Sequence, residues 1–477
     1  MARKRLRGAD VNAQVRGGHY GNAVQTASAG DHGDIVKLLI EYGADVNAQG
    51  GYFGNAVQVA SERGHGDIVK LLIEHGADVN AQGGRYGNAL LAASAGDHGD
   101  IVKLLIEHGA DVNAQGGYYS NAVHAALLHG YGDIVKLLLE HGADANAQDG
   151  NYKSAIQVAS ARGYGDIVKL LIEHGADVNP RGGHYENAVH IALKCGHNDI
   201  VKLLIEHGAD VNAQGGRYGN IVQTASERGH GDIVKLLIEH GADVNAQGGY
   251  FGNAIQIASE RGHGDIVKLL IKHGADVNAQ GGHYSSALQA ASTYGHGDIV
   301  KLLIDHGADV NVQGGHYKSA IQGASARGYS DIVKLLIEHG ADVNAQGGHY
   351  GNALQAASAG GHGDIVKLLI DHGADVNAQG GYYGNALQAA SACGRGDIVK
   401  LLIKHGADVN AQGGHYSSAL QEASAGGHGD IVKLLIDHGA DVNAQGGVYG
   451  NALQAASACG HGNIVKLLLK YGADVKA

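Results

Sequence analysis

The amino-acid sequence predicts an all-α fold: a solenoid of stacked helix–turn–helix repeats joined by β-hairpin-like fingers. The first observation is periodicity, because the motif Gly-Ala-Asp-Val-Asn, with small variations, begins at Gly43 and Gly76 and recurs at that spacing to Gly472. The second is an apolar stripe at helical spacing in the second half of every repeat. The third is a segment rich in Gly, Asn and Asp between repeats, which is typical of tight turns. A fixed period of this length indicates one elongated array.

We therefore expect residues 1–477 to form a single array of about 14 modules. Residues 1–16 are a partial N-terminal repeat, 17–49 the first module and 446–477 the C-terminal module. Because residues 1–16 lack the apolar stripe, we expect the two helices of the first module to be the least protected in the array.

Residues 347–379 illustrate one module. The second helix carries its apolar stripe at Ile365, Val366, Leu368, Leu369 and Ile370. We expect the side chain of Leu368 to be buried there. Asp364 lies in the first turn, where a negative charge is favoured, and His372 in the last turn, where a protonated imidazole is favoured. Gly373 suits the left-handed position that ends a helix.

The first helix is shorter and is predicted over Asn352–Ala359, on a row of small residues that allows close packing. Gly360 and Gly361 are expected to end this helix. The segment between modules is predicted to be an extended finger with a tight turn. Helices of about nine residues are not stable alone in water. Each must therefore bury its apolar stripe against its partner and the next module, as in a solenoid.

On the basis of these residues, the chain resembles the ankyrin family along essentially its whole length. The shared features are the 33-residue period, Gly-His before the second helix, and the "IVKLL" and "GADVNA" segments. Where that family has Thr-Pro-Leu-His, this chain has variants of "NALQ", as at 352–355, so the usual hydrogen bonding at the start of the first helix is in question. Asn352, or Ser319 in its module, is expected to cap that helix instead. The segment "GGYYGNALQAASA" is similar to ankyrin arrays of fungal proteins, which often follow a nucleotide-binding signalling module.

The copies differ mainly at the finger tip and at the end of the first helix. The tip residue varies, whereas the next residue is always Tyr or Phe; we expect those rings to form a packed structural ladder. The family resemblance implies that finger tips and first helices line a concave groove that binds partner proteins, and Tyr and Arg are enriched at interfaces. Neutral variation of exposed positions is the alternative. The candidate partner-binding residues are His19, Tyr52, Arg63, Arg85, Tyr118, His129, Arg162, His184, Arg217, Arg228, Tyr250, Arg261, His283, Tyr294, His316, Arg327, His349, Tyr382 and His415.

Other functional classes find little support. The formal net charge of -12 disfavours general nucleic-acid binding, and no apolar run approaches the roughly 18 residues of a membrane span. Cys195, Cys393 and Cys459 occupy one equivalent position in separate modules, so we expect free thiols and an intracellular, cytoplasmic protein. No phosphate-binding loop or nucleophile motif occurs, which argues against an enzyme and against a cofactor.

Most of the 31 histidines fall at three fixed offsets: the finger tip, the turn before the second helix and the end of that helix. Equivalent histidines in adjacent modules are expected about 8–10 Å apart, the spacing of packed helices, which is too far to share a metal ion. If all 31 protonated, the formal charge would move from -12 to +19. We therefore hypothesise that partner affinity changes in mild acid, where histidine ordinarily titrates.

The favoured function is a non-catalytic, monomeric scaffold that binds a protein partner on the finger and first-helix surface. Two alternatives remain. The chain is the ligand-sensing repeat region of a larger fungal-type signalling protein with a nucleotide-binding, immune-like module, or it is a mechanical spacer.

Overall fold

A computed structural model describes residues 10–14, 19–149, 153–180, 187–215, 219–250 and 252–475. The chain divides into two compact units, Met1–Gly215 and Gly216–Ala477, which are treated separately below. Each unit is a stack of helix pairs in which first helices pack on first helices and second helices on second helices. The predicted all-α solenoid is confirmed.

The first helices, seven or eight residues long, begin directly after an Asn or Ser and pack on the first helices of adjacent repeats. In the first unit they are α1 (Ala23–Ala29), α3 (Ala56–Arg63), α5 (Ala89–Ala95), α7 (Ala122–His129), α9 (Ala155–Arg162) and α11 (Ala188–Cys195). In the second unit they are α13 (Ile221–Arg228), α15 (Ala254–Arg261), α17 (Ala287–Tyr294), α19 (Ala320–Arg327), α21 (Ala353–Gly360), α23 (Ala386–Ala392), α25 (Ala419–Ala425) and α27 (Ala452–Ala458).

Side-chain caps set where the first helices begin. The sequence predicted that helix α21 begins at Asn352, but it begins at Ala353. Asn352 has an extended backbone (φ -145°) and acts as the cap. Its side-chain oxygen accepts a hydrogen bond from the backbone N–H of Gln355 (2.9 Å), and the Gln355 side-chain oxygen accepts one from the N–H of Asn352 (3.0 Å). The Ser319 side-chain oxygen caps α19 by accepting from the backbone N–H of Gln322 (3.3 Å), so the predicted capping role of both residues is confirmed.

The second helices are nine residues long. In the first unit they are α2 (Gly33–Glu41), α4 (Gly66–Glu74), α6 (Gly99–Glu107), α8 (Gly132–Glu140), α10 (Gly165–Glu173) and α12 (Asn198–Glu206). In the second unit they are α14 (Gly231–Glu239), α16 (Gly264–Lys272), α18 (Gly297–Asp305), α20 (Ser330–Glu338), α22 (Gly363–Asp371), α24 (Gly396–Lys404), α26 (Gly429–Asp437) and α28 (Gly462–Lys470).

The apolar stripe of the second helix is narrower than the sequence suggested. Ile365, Val366 and Leu369 are fully buried, whereas Leu368 and Ile370 are half-buried. At about 100° per residue, the three buried side chains share one face, and the other two lie on its flanks. The expectation that Leu368 is a buried core residue is therefore wrong; Leu369 has that position. His372 was predicted in the last turn but lies one residue beyond the end of the helix, as its C-cap. Gly373 is left-handed (φ +87°), as predicted.

The segments between helix pairs are hairpin-like fingers. In the finger of residues 347–351, the N–H of Gly347 donates to the carbonyl of Gly351 (2.7 Å), and Gly348 takes the left-handed conformation (φ +71°) that this tight turn requires. Two-residue strands are formed at Gln214–Gly215 (β1) and Gly219–Asn220 (β2). Among the described residues, no helix is both long enough and apolar enough to cross a bilayer.

Polar side chains also join successive repeats. The side-chain amide of Gln355 donates to the carbonyls of Ala378 and Gly384 in the next finger, both at 3.0 Å. The Asn344 side chain donates to the Gly373 carbonyl (3.0 Å) and accepts from the backbone N–H of Asp375 (2.8 Å). His362, in the turn before α22, reaches the Ala326 carbonyl of the preceding repeat (3.2 Å). Each repeat is thus tied to its neighbour by hydrogen bonds as well as by apolar packing.

Candidate partner-binding surface

The finger tips of adjacent repeats stack ring on ring. In the second unit, the rings of Tyr250 and His283 lie parallel with centroids 5.1 Å apart, and those of His283 and His316 lie 6.0 Å apart. The Tyr250 hydroxyl also contacts His283 Nδ1 at 2.9 Å. The expected separation of 8–10 Å between equivalent histidines is therefore wrong at the tips.

Backbone hydrogen bonds between adjacent fingers explain why the tip side chains lie so close together. The N–H of His283 donates to the carbonyl of Tyr250 (3.2 Å), and the N–H of Tyr382 donates to that of His349 (2.8 Å). Neighbouring fingers are thus hydrogen-bonded directly, as strands are, and strands lie about 4.8 Å apart where helices lie about 9 Å apart. The finger row consequently brings its variable side chains much closer together than the helices would.

A second tip stack follows in the same unit. Tyr382 lies between His349 and His415, with ring centroids at 5.3 and 5.1 Å and nearly parallel planes. Tyr382 keeps 43% of its surface exposed. The stacked faces are therefore ordered by their neighbours while their edges remain accessible.

In the first unit, one finger tip carries an arginine, Arg85, between aromatic tips. The guanidinium of Arg85 lies 5.7 Å from the ring centre of Tyr52, 5.5 Å from Tyr86 and 5.8 Å from Tyr118. Each contact is within the range of a cation–π interaction. His19 meets Tyr52 edge-on at 6.2 Å. This unit presents a permanent positive charge between aromatic tips.

The invariant ring next to each tip connects the finger to the end of the first helix ten residues later. The hydroxyls of Tyr284 and Tyr294 are 2.7 Å apart, and the Tyr119 hydroxyl lies 3.2 Å from His129 Nε2. Burial raises the pKa of Tyr284 above its ordinary value, with the Tyr294 hydrogen bond acting in the same direction. These rings are packed structural groups, as predicted, and within each unit they join the finger tips to the first-helix ends in one surface. We call this surface the finger face.

The structure brings most of the candidate residues to the finger face. His283 is half-buried, and His184 and Arg217 lie outside the described residues. Within the described ranges, Arg162 and Arg228 make no cation–π contact. The exposed candidates are His19, Tyr52, Arg63, Arg85, Tyr118, His129, Arg162, Arg228, Tyr250, Arg261, Tyr294, His316, Arg327, His349, Tyr382 and His415.

Sequence reasoning missed the acidic residues of this region. Glu422 is 2% exposed on α25, and burial raises its pKa to about 8. Glu260 is also buried, which raises its pKa, and Glu227 pairs with Arg261 at 3.1 Å. A usable signal existed for Glu422, because the equivalent residue of both flanking repeats is alanine.

Exposed Tyr, His and Arg side chains are held in place by stacking and by hydrogen bonds to the fingers. In the part of the chain that the structure describes, no group of three His, Cys, Asp or Glu residues is arranged to hold a metal ion. Cys195, Cys393 and Cys459 are all free.

Comparison with known proteins identifies one family. A family model described as ankyrin repeats (3 copies) matches residues 4–83, 22–116, 82–149, 123–215, 156–248, 221–314, 257–347, 321–413 and 412–477. These matches overlap and cover nearly the whole chain. No curated protein matches it. Ankyrin repeats commonly mediate protein–protein interaction, and proteins built from them are generally non-catalytic scaffolds.

Proposed function

This chain belongs to the ankyrin-repeat family, and we propose on that premise that it is a non-catalytic scaffold that binds a protein partner on its finger face. The observation that carries the proposal is the stacked row of exposed tips. Tyr382, between His349 and His415, is an aromatic side chain already fixed in one orientation.

Such preorganisation favours binding. A partner that contacts Tyr382 immobilises a side chain whose rotamers are already restricted, so little conformational entropy is lost on association. Tyr and Arg side chains are also those that most often dominate binding energy at protein interfaces. The variation between repeats falls on the same side chains, which provides a means of choosing one partner over another.

A mechanical spacer is the competing function, and site-specific cross-linking separates the two. A photoreactive phenylalanine analogue is introduced at Tyr382 of the full chain, and in a matched control at Lys367, which is exposed on the second helix α22. Both proteins are irradiated in extract of the cells that produce the chain. The scaffold predicts a protein adduct at position 382 that is absent at 367. The adduct should disappear when His349 and His415 are changed to Ala. Equal labelling at both positions, or no adduct at 382, would support the spacer.

A further inference from the structure

Four basic side chains are grouped on the finger face of the repeats that contain α13, α15, α17 and α19. Arg228, Arg261 and Arg327 lie at first-helix ends, and Lys318 follows a finger tip; all four are exposed. Arg261 pairs with Glu227. Among the described residues, the other three have no carboxylate partner within 4.0 Å.

The acidic residues of the same face are withdrawn from solvent. Glu260 is 7% exposed, and the side chain of Glu227 is 15% exposed and held by Arg261. Burial also raises the pKa of Glu260 above its ordinary value. The charge that this part of the finger face presents to solvent is therefore positive.

The second helices and following turns of the repeats of α14, α18 and α20 have the opposite sign, whereas those of the α16 repeat are balanced, with Asp265 and Asp276 against Lys268 and Lys272. In the repeat of α18, the second helix and the turn after it carry three exposed acidic residues, Asp298, Asp305 and Asp309, against one exposed Lys301. The whole chain carries a formal net charge of -12. The basic patch is thus a local feature against an acidic background, and such contrast directs an oppositely charged partner to one face.

Flat aromatic surface lies beside these cations. Tyr250 is 47% exposed at the start of the Tyr250–His283–His316 stack, and Tyr294 is 40% exposed. The Arg327 side chain lies near those of Tyr317 and Tyr294. These rings and Arg327 therefore lie next to one another, and Arg228 is at the first-helix end of the repeat adjacent to that of Tyr250.

We propose that this patch, formed by Arg228, Lys318 and Arg327 with the Tyr250, His283 and Tyr294 rings, binds an acidic segment of a partner protein. The segment's carboxylates pair with the three free cations, and its backbone and apolar side chains pack on the rings. This inference rests on the proposed scaffold function and specifies the chemistry of the partner.

A peptide probe tests it on the full-length chain. The probe is a fluorescein-labelled peptide of alternating Glu and Ser, and its control replaces every Glu by Gln. Binding is measured by fluorescence anisotropy at low and at high salt. The wild-type chain should bind the Glu peptide, should ignore the Gln peptide, and should bind more weakly as salt rises.

Matched charge reversals locate the site. One variant carries Arg228→Glu, Lys318→Glu and Arg327→Glu. The control carries Lys301→Glu, Lys367→Glu and Lys433→Glu, which changes net charge equally but on exposed second-helix positions. The first variant should weaken binding about tenfold or more, and the control about twofold or less. Because the first variant could lose its fold, a neutral version with Gln at the same three positions is measured too, and it should weaken binding about threefold or more.

Three results would overturn the proposal: no binding of the Glu peptide to the wild type, equal weakening in both reversal variants, or tighter binding of an oligouridine than of the Glu peptide. The outcome is separable from that of the proposed function. The peptide measures which chemistry the patch accepts, whereas the cross-link at position 382 measures whether a cellular protein occupies the finger face. A partner that cross-links at 382 but binds the reversal variant normally would refute the acidic segment alone.

Discussion

The side-chain amide of Gln355 lies 3.0 Å from the carbonyl oxygen of Gly384, and this hydrogen bond ties a first helix to the finger of the following repeat. The same amide group donates to the Ala378 carbonyl, and the side-chain oxygen accepts from Asn352. One fully buried side chain thus caps its own helix and anchors the next repeat. Hydrogen bonds at the start of this first helix are thus made without a Thr-Pro-Leu-His motif.

Replacing Gln355 should loosen the array locally. Gln355→Ala removes three hydrogen bonds and leaves the buried backbone N–H of Asn352 without its acceptor, so we expect a loss of about 2–4 kcal/mol. Gln355→Leu keeps the volume and should lose about 1–2 kcal/mol; the chain already places leucine at the equivalent Leu91. Because repeat arrays unfold in segments, the measurement is amide hydrogen exchange of α21 and α23. Identical exchange in wild type and Gln355→Ala would show that the hydrogen bonds contribute nothing.

Two adjacent leucines in α22 should respond differently to truncation. Leu369 is 0% exposed, so Leu369→Ala should cost about 2–5 kcal/mol through lost burial and the cavity left behind. Leu368 is half-buried, and Leu368→Ala should cost less than about 1.5 kcal/mol. Urea unfolding followed by circular dichroism compares the two. A larger loss for Leu368→Ala would mean that the helix is rotated from the position described.

The buried carboxyl of Glu422 should make stability depend on pH. Its folded-state pKa, about 8, lies above the ordinary 4.5 because of burial. The folded form therefore holds a proton that the unfolded chain releases, and stability falls as pH rises from about 4.5 to about 8. Glu422→Ala introduces the residue found at the equivalent Ala389 and Ala455. It should raise the urea midpoint more at pH 8.5 than at pH 5. Parallel pH profiles for variant and wild type would contradict the raised pKa.

The sequence predicted what depends on local pattern and missed what depends on the neighbouring repeat. Asp364, Gly373 and the Asn352 cap follow from helix-end rules that operate within a few residues. The close approach of His283 and His316 does not, because hydrogen bonds between fingers set that spacing. The role of Gln355 was missed for the same reason, since its acceptors lie in the next finger.

For the candidate surface too, the sequence predicted one part and missed another. Variation between copies pointed to the tips and helix ends, and the structure joins them through pairs such as Tyr284 and Tyr294. Which charges on that surface reach solvent could not be read from the sequence, because Glu260 and Arg261 are adjacent in the chain yet one is buried and the other exposed.

The helix α2 should exchange its amide hydrogens faster than the other second helices. Ile35 is 48% exposed and Leu38 is 51% exposed, whereas the equivalent Ile68 in α4 is 1% exposed. Of the residues of α2, only Val36 is buried, so little apolar contact opposes local opening. We expect exchange in α2 to be about tenfold or more faster than in α20, measured by mass spectrometry on the full chain.

Truncation of equivalent isoleucines provides the matched test of the same feature. Ile68→Ala should cost about 2–4 kcal/mol, because the side chain is fully buried. Ile35→Ala should cost about 1 kcal/mol or less, because half of its surface already faces water. A similar loss at both positions, together with slow exchange in α2, would show that Ile35 is covered in solution.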